Sequence, residues 1–467
     1  MLTYDLEQAT GPLYQYIYQC LKDDIMTGEL QAGDKLPSKR TFARNHGIST
    51  ITIQNAYDQL ISEGYIYTVP KKGYYVAKIR GMRQVPKETN LSLNIQRQEK
   101  KVEYAIDLSD NRMSPERFPF TVWAKIGREI MSDHKSELME PSPAGGTRAL
   151  REAVAEHLKS YRAMLVDPDQ IVVGAGTEYL YSLLVQLLAP RSTYCLEDPG
   201  YKKIAQVYKR CGVTCRYGRL DNQGITVDSL KRSGADIAHI SPNHHFPTGI
   251  TMPASRRYEV LAWANEKEGR YLIEDDYDSE FRLGGRPVPT LFSIDACEKV
   301  IYMNTFSKSL TPTIRISYMV LPVHLANRFY EELSFYSCTV SNFEQYTLAA
   351  FIKQGYFEKH INRMRLYYAR QRQKIKEVLE KGAPGLPCEI RENDSGLHFL
   401  LHLKTDLTDR EVVKKLAEQA VRVHALSEYY TKKQGEEHFF IINYSNLDVE
   451  KAAAAMEIIA DVTGGKL

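Results

Sequence analysis

Apolar residues recur at helical spacing at Leu13, Ile17, Leu21 and Ile25, and Gly28 supplies a stop, so a helix is expected over residues 12–27. Gly33 to Ser38 reads as a turn. Ser38 is an N-cap that opens a short helix through Arg44, broken by Asn45-His46-Gly47. Ser49 is a second N-cap. Ile53, Tyr57, Leu60 and Ile61 line one face of the helix that follows, up to Gly64. Two β-rich runs, Tyr65–Val69 and Tyr74–Ile79, then flank Pro70-Lys71-Lys72-Gly73, which reads as a hairpin tip. Helix, helix–turn–helix, β-wing is the plan of a winged helix-turn-helix, assigned to residues 1–80.

The pattern dissolves over residues 81–106. This stretch is rich in Gln, Lys, Arg and Glu, with few large apolar side chains beyond Leu91, Leu93 and Ile95, and reads as a linker. From Asp107 to the end, short apolar runs alternate with amphipathic ones. Ile171–Val173, Thr193–Leu196, Ile237–Ile240, Tyr271–Ile273 and Val300–Met303 are strand-like. Arg148–Tyr161, Tyr179–Leu188, Tyr201–Cys211 and Arg256–Lys267 are helix-like. This alternation predicts a mainly parallel, helix-covered sheet, hence an α/β domain over residues 107–467. From Phe357 a long helix, a strand at Gly396–His402, a helix near Asp409–Ala420 and a strand at Phe439–Asn443 predict a small α+β subdomain.

Composition changes this picture little. At 467 residues, 43% hydrophobic and 25% charged, with a net charge of +3, the chain is ordinary for a globular protein. The local charge says more: Lys35 to Arg80 holds eight Lys/Arg against Asp58 and Glu63, an excess of six. That fits a phosphate-facing surface, and equally a solvated basic face. The seven cysteines are scattered and show no metal-ligand spacing, so reduced thiols and no metal site are expected. No leader or membrane-spanning run is apparent, and a cytoplasmic location is expected.

In a helix–turn–helix the second helix presents its N-terminal residues to base edges in the major groove. Here these are Ser49, Thr50, Thr52 and Asn55. Lys39 and Arg40 open the preceding helix, where they suit the DNA backbone, and Lys71 and Lys72 at the wing tip suit an adjacent groove or phosphate. A small helical cap on an enzyme is the competing reading of the same residues.

In the larger part, Gly174-Ala175-Gly176-Thr177 follows a strand and precedes a helix, an arrangement that cradles phosphate, although such turns are common. Tyr201 ends Glu197-Asp198-Pro199-Gly200-Tyr201 and either borders a ligand ring or packs as an ordinary tyrosine. Tyr271-Leu272-Ile273-Glu274-Asp275-Asp276-Tyr277 is an apolar strand ending in carboxylates. Asp275 and Tyr277 would share one face and point at one ligand. Lys308, within Thr305-Phe306-Ser307-Lys308-Ser309, follows Asp275 by 33 residues, and Arg315 lies seven beyond Lys308.

These runs carry a resemblance. Leu36-Pro37-Ser38-Lys39-Arg40, Glu63-Gly64-Tyr65-Ile66 and Lys72-Gly73-Tyr74-Tyr75-Val76 are similar to the GntR-family winged helix-turn-helix over residues 11–77. Residues 107–467 resemble fold-type I aminotransferases, most closely in Ile273–Phe281, Thr305–Leu310 and Arg315–Leu321. Together the halves resemble the MocR subfamily of GntR-family transcription regulators, with its GabR-like and PdxR-like members. The resemblance implies that pyridoxal 5′-phosphate (PLP) forms a Schiff base with Lys308, for sensing rather than turnover. It also implies Asp275 at the ring nitrogen, Tyr277 at the ring oxygen, and Gly176, Thr177, Thr305 and Arg315 around the phosphate, which would make the PLP ring the one that Tyr201 could border. Its implied partners are double-stranded promoter DNA with paired half-sites and a second copy of the chain in a head-to-tail, domain-swapped homodimer.

The departures concern the effector. Asn446 stands where GabR-like sequences place a carboxylate-binding arginine, Lys203 replaces a second arginine, and Phe246 replaces the asparagine before Pro-Thr-Gly. Lysine pairs with a carboxylate less specifically than the arginine fork. In the DNA-binding half, Thr50 replaces a frequent arginine. The expectation is a regulator that senses PLP, or PLP plus an amino compound bound at Lys203 and Asn446, in control of vitamin B6 synthesis. A working aminotransferase with an appended DNA-binding module is the alternative.

Overall fold

The computed structural model describes residues 4–79, 103–188, 192–284, 288–381, 388–391, 396–432 and 437–464. The chain forms two compact units, Met1–Lys101 and Val102–Leu467. The expected linker, residues 81–106, lies outside the described residues as far as position 102.

The first unit has helices Leu13–Thr27, Lys39–His46 and Thr50–Ser62, followed by an antiparallel hairpin of Ile66–Val69 and Gly73–Val76. Ile17, Leu21, Ile53, Ala56, Tyr57 and Leu60 form a core with no exposed surface. Both predicted caps are present: the Ser38 hydroxyl accepts the Thr41 N–H at 3.2 Å, and that of Ser49 accepts the Thr52 N–H at 3.1 Å. The helix after Ser38 runs two residues past Arg44, because His46 stacks on Phe42 at 4.5 Å and its ring nitrogen bonds the Phe42 carbonyl. Gly47, at φ 65°, makes the break alone. The turn expected at Gly33–Ser38 contains a strand, Lys35–Leu36, paired with Tyr74 and Tyr75. Two residues carry no readable period, and their partners lie far along the chain. The second wing strand ends at Val76, short of Ile79.

The second unit is built on an eight-stranded sheet in the order Ile171–Gly174, Ser317–Val320, Val300–Thr305, Tyr271–Asp275, Ile237–Ile240, Thr193–Asp198, Thr214–Asp221, Gly224–Ile225. Ser317–Val320 is antiparallel to both neighbours and Gly224–Ile225 to its one; the rest are parallel. Parallel register brings the carboxyl ends of Tyr271–Asp275, Val300–Thr305 and Thr193–Asp198 to one edge, where ligands of open α/β sheets bind. Several strands outrun their apolar stretch: Glu274 and Asp275 are as buried as the residues before them. Helix Tyr356–Lys381 leads to a four-stranded sheet of Cys388–Arg391, His398–Leu403, Phe439–Asn443 and His424–Ala425, with helices Asp409–Glu418 and Val449–Thr463. Ile106–Asp107 pairs with Val421–Arg422, which ties the segment carrying Asp110 to this subdomain. Among the described residues no helix is long and apolar enough to cross a membrane.

Candidate functional site

A cavity of about 330 Å³ lies at the carboxyl edge of the large sheet. Thr177, Tyr201, Lys203, Asp275, Tyr277, Thr305, Lys308 and Arg315 all line it, joined by Asn111, Glu178, Tyr181, Phe246, Ser307, His398 and Asn443.

Strand alternation explains how the acidic run Glu274–Asp278 divides. Glu274 points away from the cavity and accepts the N–H groups of Leu291 and Phe292, each at 3.0 Å. Asp276 also turns back, to a buried ion pair with Arg162 and the Tyr302 hydroxyl at 2.7 Å. Asp275 and Tyr277 face the cavity. One Asp275 oxygen, Oδ2, accepts the Tyr181 hydroxyl at 2.7 Å and lies 3.2 Å from His239 Nε2. The other, Oδ1, is buried without a hydrogen-bond partner among the described residues. A buried, unpartnered carboxylate oxygen is costly unless something binds it. The Tyr277 hydroxyl lies 3.1 Å from His244 Nδ1, and that ring nitrogen lies 2.8 Å from Asp278.

Lys308 sits in a one-turn helix, Phe306–Ser309, which follows directly on strand Val300–Thr305. Burial pushes its ammonium below the ordinary lysine range, against the nearby charges of Asp278 and Asp110. A lysine so placed is more readily the neutral amine that attacks a carbonyl.

The third part is an anion cradle. Gly176, at φ 90°, caps helix Thr177–Leu187, whose first N–H groups lack intrahelical partners. At this φ glycine is strongly favoured, and a Cβ at Gly176 would also displace the Arg315 guanidinium from its present position. Arg315 bonds Glu178 at 2.6 Å, and Lys203 pairs with the same carboxylate. The Thr305 hydroxyl is engaged locally, accepting Ser307 N–H at 3.1 Å and the Ser317 hydroxyl at 2.8 Å. The Ser307 hydroxyl is buried without a partner among the described residues, so it is the freer donor of the two.

Asn446 is not brought to the cavity. It is exposed and donates to Asp110 Oδ2 at 2.9 Å, and Arg112 grips the same carboxylate through both oxygens. Asn443, the last residue of strand Phe439–Asn443, lines the cavity instead. Tyr181, His239, Glu178 and Ser307 are among the contributors that went unread in the sequence. Tyr181 follows Thr177 by one helical turn, and His239 is the polar residue in an otherwise apolar strand, so both left a trace. Among the described residues no group of three or more His, Cys, Asp or Glu could hold a metal ion.

In the first unit Thr50 and Asn55 are exposed on the second helix of the helix–turn–helix, as are Arg40, Lys71 and Lys72 elsewhere on the unit. Ser49 and Thr52 bond each other through their hydroxyls at 2.8 Å and are partly spent on the cap. Lys39 lies 5.9 Å above the Tyr74 ring. Ile51, which sequence reasoning passed over, is 70% exposed at the start of that helix.

Two family models match: bacterial regulatory proteins of the gntR family over residues 13–76, and aminotransferase class I and II over residues 104–459. The chain is 36% identical to the uncharacterized HTH-type transcriptional regulator YdeL of Bacillus subtilis, over 90% of each chain. It is 29% identical to the HTH-type pyridoxine biosynthesis transcriptional regulator PdxR of Corynebacterium glutamicum, over 87% of this chain and 86% of that one. The multiple substrate aminotransferase of Thermococcus profundus superposes with a TM-score of 0.69 at 22% identity, over 81% of this chain and 97% of that one, a likeness of fold. The gntR module implies DNA binding, and the class I and II aminotransferase fold is that of PLP-dependent proteins. The chain belongs to the GntR-family transcription regulators of MocR type, in which a winged helix-turn-helix is joined to an aminotransferase class I and II domain.

Proposed function

We propose that this protein is a cytoplasmic transcription regulator that binds PLP through Lys308 and changes its hold on promoter DNA in response. The observation that carries the reading is the pairing, in one cavity, of a half-buried amine at Lys308 with an oxygen of Asp275 that is buried without a partner among the described residues. Oδ1 of Asp275 suits the protonated ring nitrogen, the Tyr277 hydroxyl the ring oxygen, and Tyr201 the ring border. The cradle of Gly176, Thr177, Ser307 and Arg315 suits the phosphate, with Thr305 supporting it. When bound, PLP supplies an aldehyde for Lys308 and an electron-withdrawing ring.

Sensing, not turnover, is supported by the carboxylate side of the cavity. Asn446 lies outside it, and Lys203 is already paired with Glu178. The Corynebacterium relative is a regulator of pyridoxine biosynthesis, which favours control of vitamin B6 supply here too. We further infer a head-to-tail homodimer that reads paired half-sites through Lys39, Arg40, Ser49, Thr50, Thr52, Asn55, Lys71 and Lys72. PLP then acts by linkage: it favours one arrangement of the DNA-binding units and so shifts DNA affinity.

The test is binding of the full chain to its own upstream intergenic DNA, with and without PLP, for wild type and Lys308→Ala. The expected result is that PLP changes the affinity or footprint of wild type only, while both proteins bind DNA without PLP. An equal PLP response in Lys308→Ala refutes the scheme. Conversion of PLP to its amine form with an amino donor, at about 1 per second or faster, would establish a working aminotransferase instead.

A further inference from the structure

Three cations line the cavity among the described residues: Lys203, Lys308 and Arg315. Glu178 binds two of them. Its Oε2 takes Arg315 at 2.6 Å and its Oε1 takes Lys203. The two cations hold its carboxyl below the ordinary range, Lys203 first, so it is ionised at neutral pH. Glu178 thus lies between the residue that suits the PLP phosphate and the residue that the sequence assigned to an effector carboxylate.

We propose that Glu178 determines which ligands this cavity takes, by barring carboxylate-bearing amines from Lys203 while leaving room for phosphate at Arg315. The inference rests on the PLP reading above. A carboxylate that approaches Lys203 meets Glu178 beside it, and the attraction of one cation is offset by the repulsion of one anion. A phosphate at the head of helix Thr177–Leu187 is better supplied. It carries about two charges, and backbone N–H groups, the helix dipole and Ser307 share it with Arg315. The second ligand of this site, where one acts, is therefore an amine without a carboxylate.

The test uses the full chain and two variants, Glu178→Gln and Lys203→Gln, titrated with PLP by the visible absorbance that covalent attachment to Lys308 produces. Removing the competing charge should tighten PLP about fivefold in Glu178→Gln. Lys203→Gln should weaken PLP, because Glu178 is then left to Arg315 alone; a merely structural role would move both variants the same way. The loaded proteins are then challenged with L-alanine, γ-aminobutyrate and 1,4-diaminobutane. Glu178→Gln should respond to the two carboxylates at concentrations at least about tenfold below those wild type needs. The diamine should respond alike in both. Equal carboxylate responses, or looser PLP binding in Glu178→Gln, overturn the proposal. If wild type gives no visible absorbance with PLP, the cofactor reading itself fails; if wild type does and Glu178→Gln matches it throughout, only the role of Glu178 fails.

Discussion

Asp275→Asn separates binding chemistry from fold at a single oxygen. The substitution preserves size, so the amide oxygen can still accept the Tyr181 hydroxyl at the Oδ2 position, 2.7 Å away, with His239 at 3.2 Å. The NH₂ group then replaces Oδ1, which has no protein partner among the described residues. Thermal stability of the ligand-free protein should therefore change by less than about 1 kcal/mol. The ring nitrogen of PLP, by contrast, loses a buried carboxylate. A hydrogen bond to a charged group contributes about 1.5–3 kcal/mol, which converts to a PLP affinity roughly 10- to 150-fold weaker. Equilibrium titration by visible absorbance measures the affinity, and thermal melting of the ligand-free protein measures the fold. Asp275→Ala serves as contrast. It strands the Tyr181 hydroxyl and His239 in a buried setting and should destabilise the ligand-free protein by about 1–3 kcal/mol. If Asp275→Asn binds PLP within about twofold of wild type, with an unchanged spectrum, the assignment of Asp275 to the ring nitrogen is wrong.

Two further outcomes follow from burial. In the second helix of the helix–turn–helix, Ile51→Ala and Ile53→Ala differ by two positions but should fail differently. Ile53 is fully buried, so its truncation costs about 2–5 kcal/mol and lowers the melting temperature of the DNA-binding unit. Ile51 is 70% exposed, so its truncation leaves melting unchanged and instead relaxes preference for a thymine methyl, by about 1 kcal/mol across a panel of operator variants; an unaltered panel refutes the contact. Behind the cavity, burial pushes Glu197 up to about 8 and its neighbour His245, 3.5 Å away, down to about 3. Because the folded pKa of Glu197 is raised, its stabilising contribution is complete below its ordinary value of 4.5 and is lost as pH rises toward 8. Below its ordinary value of 6.5 the depressed His245 has the opposite slope, so Glu197→Gln should melt with a flatter pH profile between about pH 7 and 8, and a slope there equal to that of wild type would show that Glu197 ionises freely.

Much of this was legible because it is written in local periods. The apolar spacing of Ile17, Leu21 and Ile25, the caps at Ser38 and Ser49, and the alternation that sends Asp275 and Tyr277 one way and Glu274 and Asp276 the other are short-range facts. Short strands without a pattern were not legible. Lys35–Leu36 forms only because Tyr74 and Tyr75 return beside it, and Thr214–Asp221 alternates with few large apolar residues. Side-chain commitments were equally hidden. Thr305 and Ser307 look interchangeable as phosphate donors in sequence, yet the fold spends Thr305 on its own helix cap and on Ser317 and leaves the Ser307 hydroxyl without a partner among the described residues. Asn446 sits only three residues after Asn443, but Asn443 ends a strand at the cavity while Asn446 lies beyond it against Asp110.

The last of these differences bears on why such a site would sense. An aminotransferase must grip both its cofactor and a succession of carboxylate substrates, so it needs cations for phosphate and for substrate together. Among the described residues, the cavity is lined by groups suited to the ring and phosphate, with Arg315 and Lys203 both paired to Glu178 and no cation at the position of Asn446. The position of Asn446 carries no charge, and Lys203 answers to Glu178. Interactions that bind a cofactor tightly do nothing for turnover unless the substrate is also positioned for reaction. They can, however, shift an equilibrium between two states of a protein without any turnover, provided that they are stronger in one state than in the other. On the proposed reading, a cavity that holds PLP well and substrates poorly is a poor catalyst and a serviceable sensor, and the residue proposed to make it so is Glu178, an acid in the first turn of helix Thr177–Leu187.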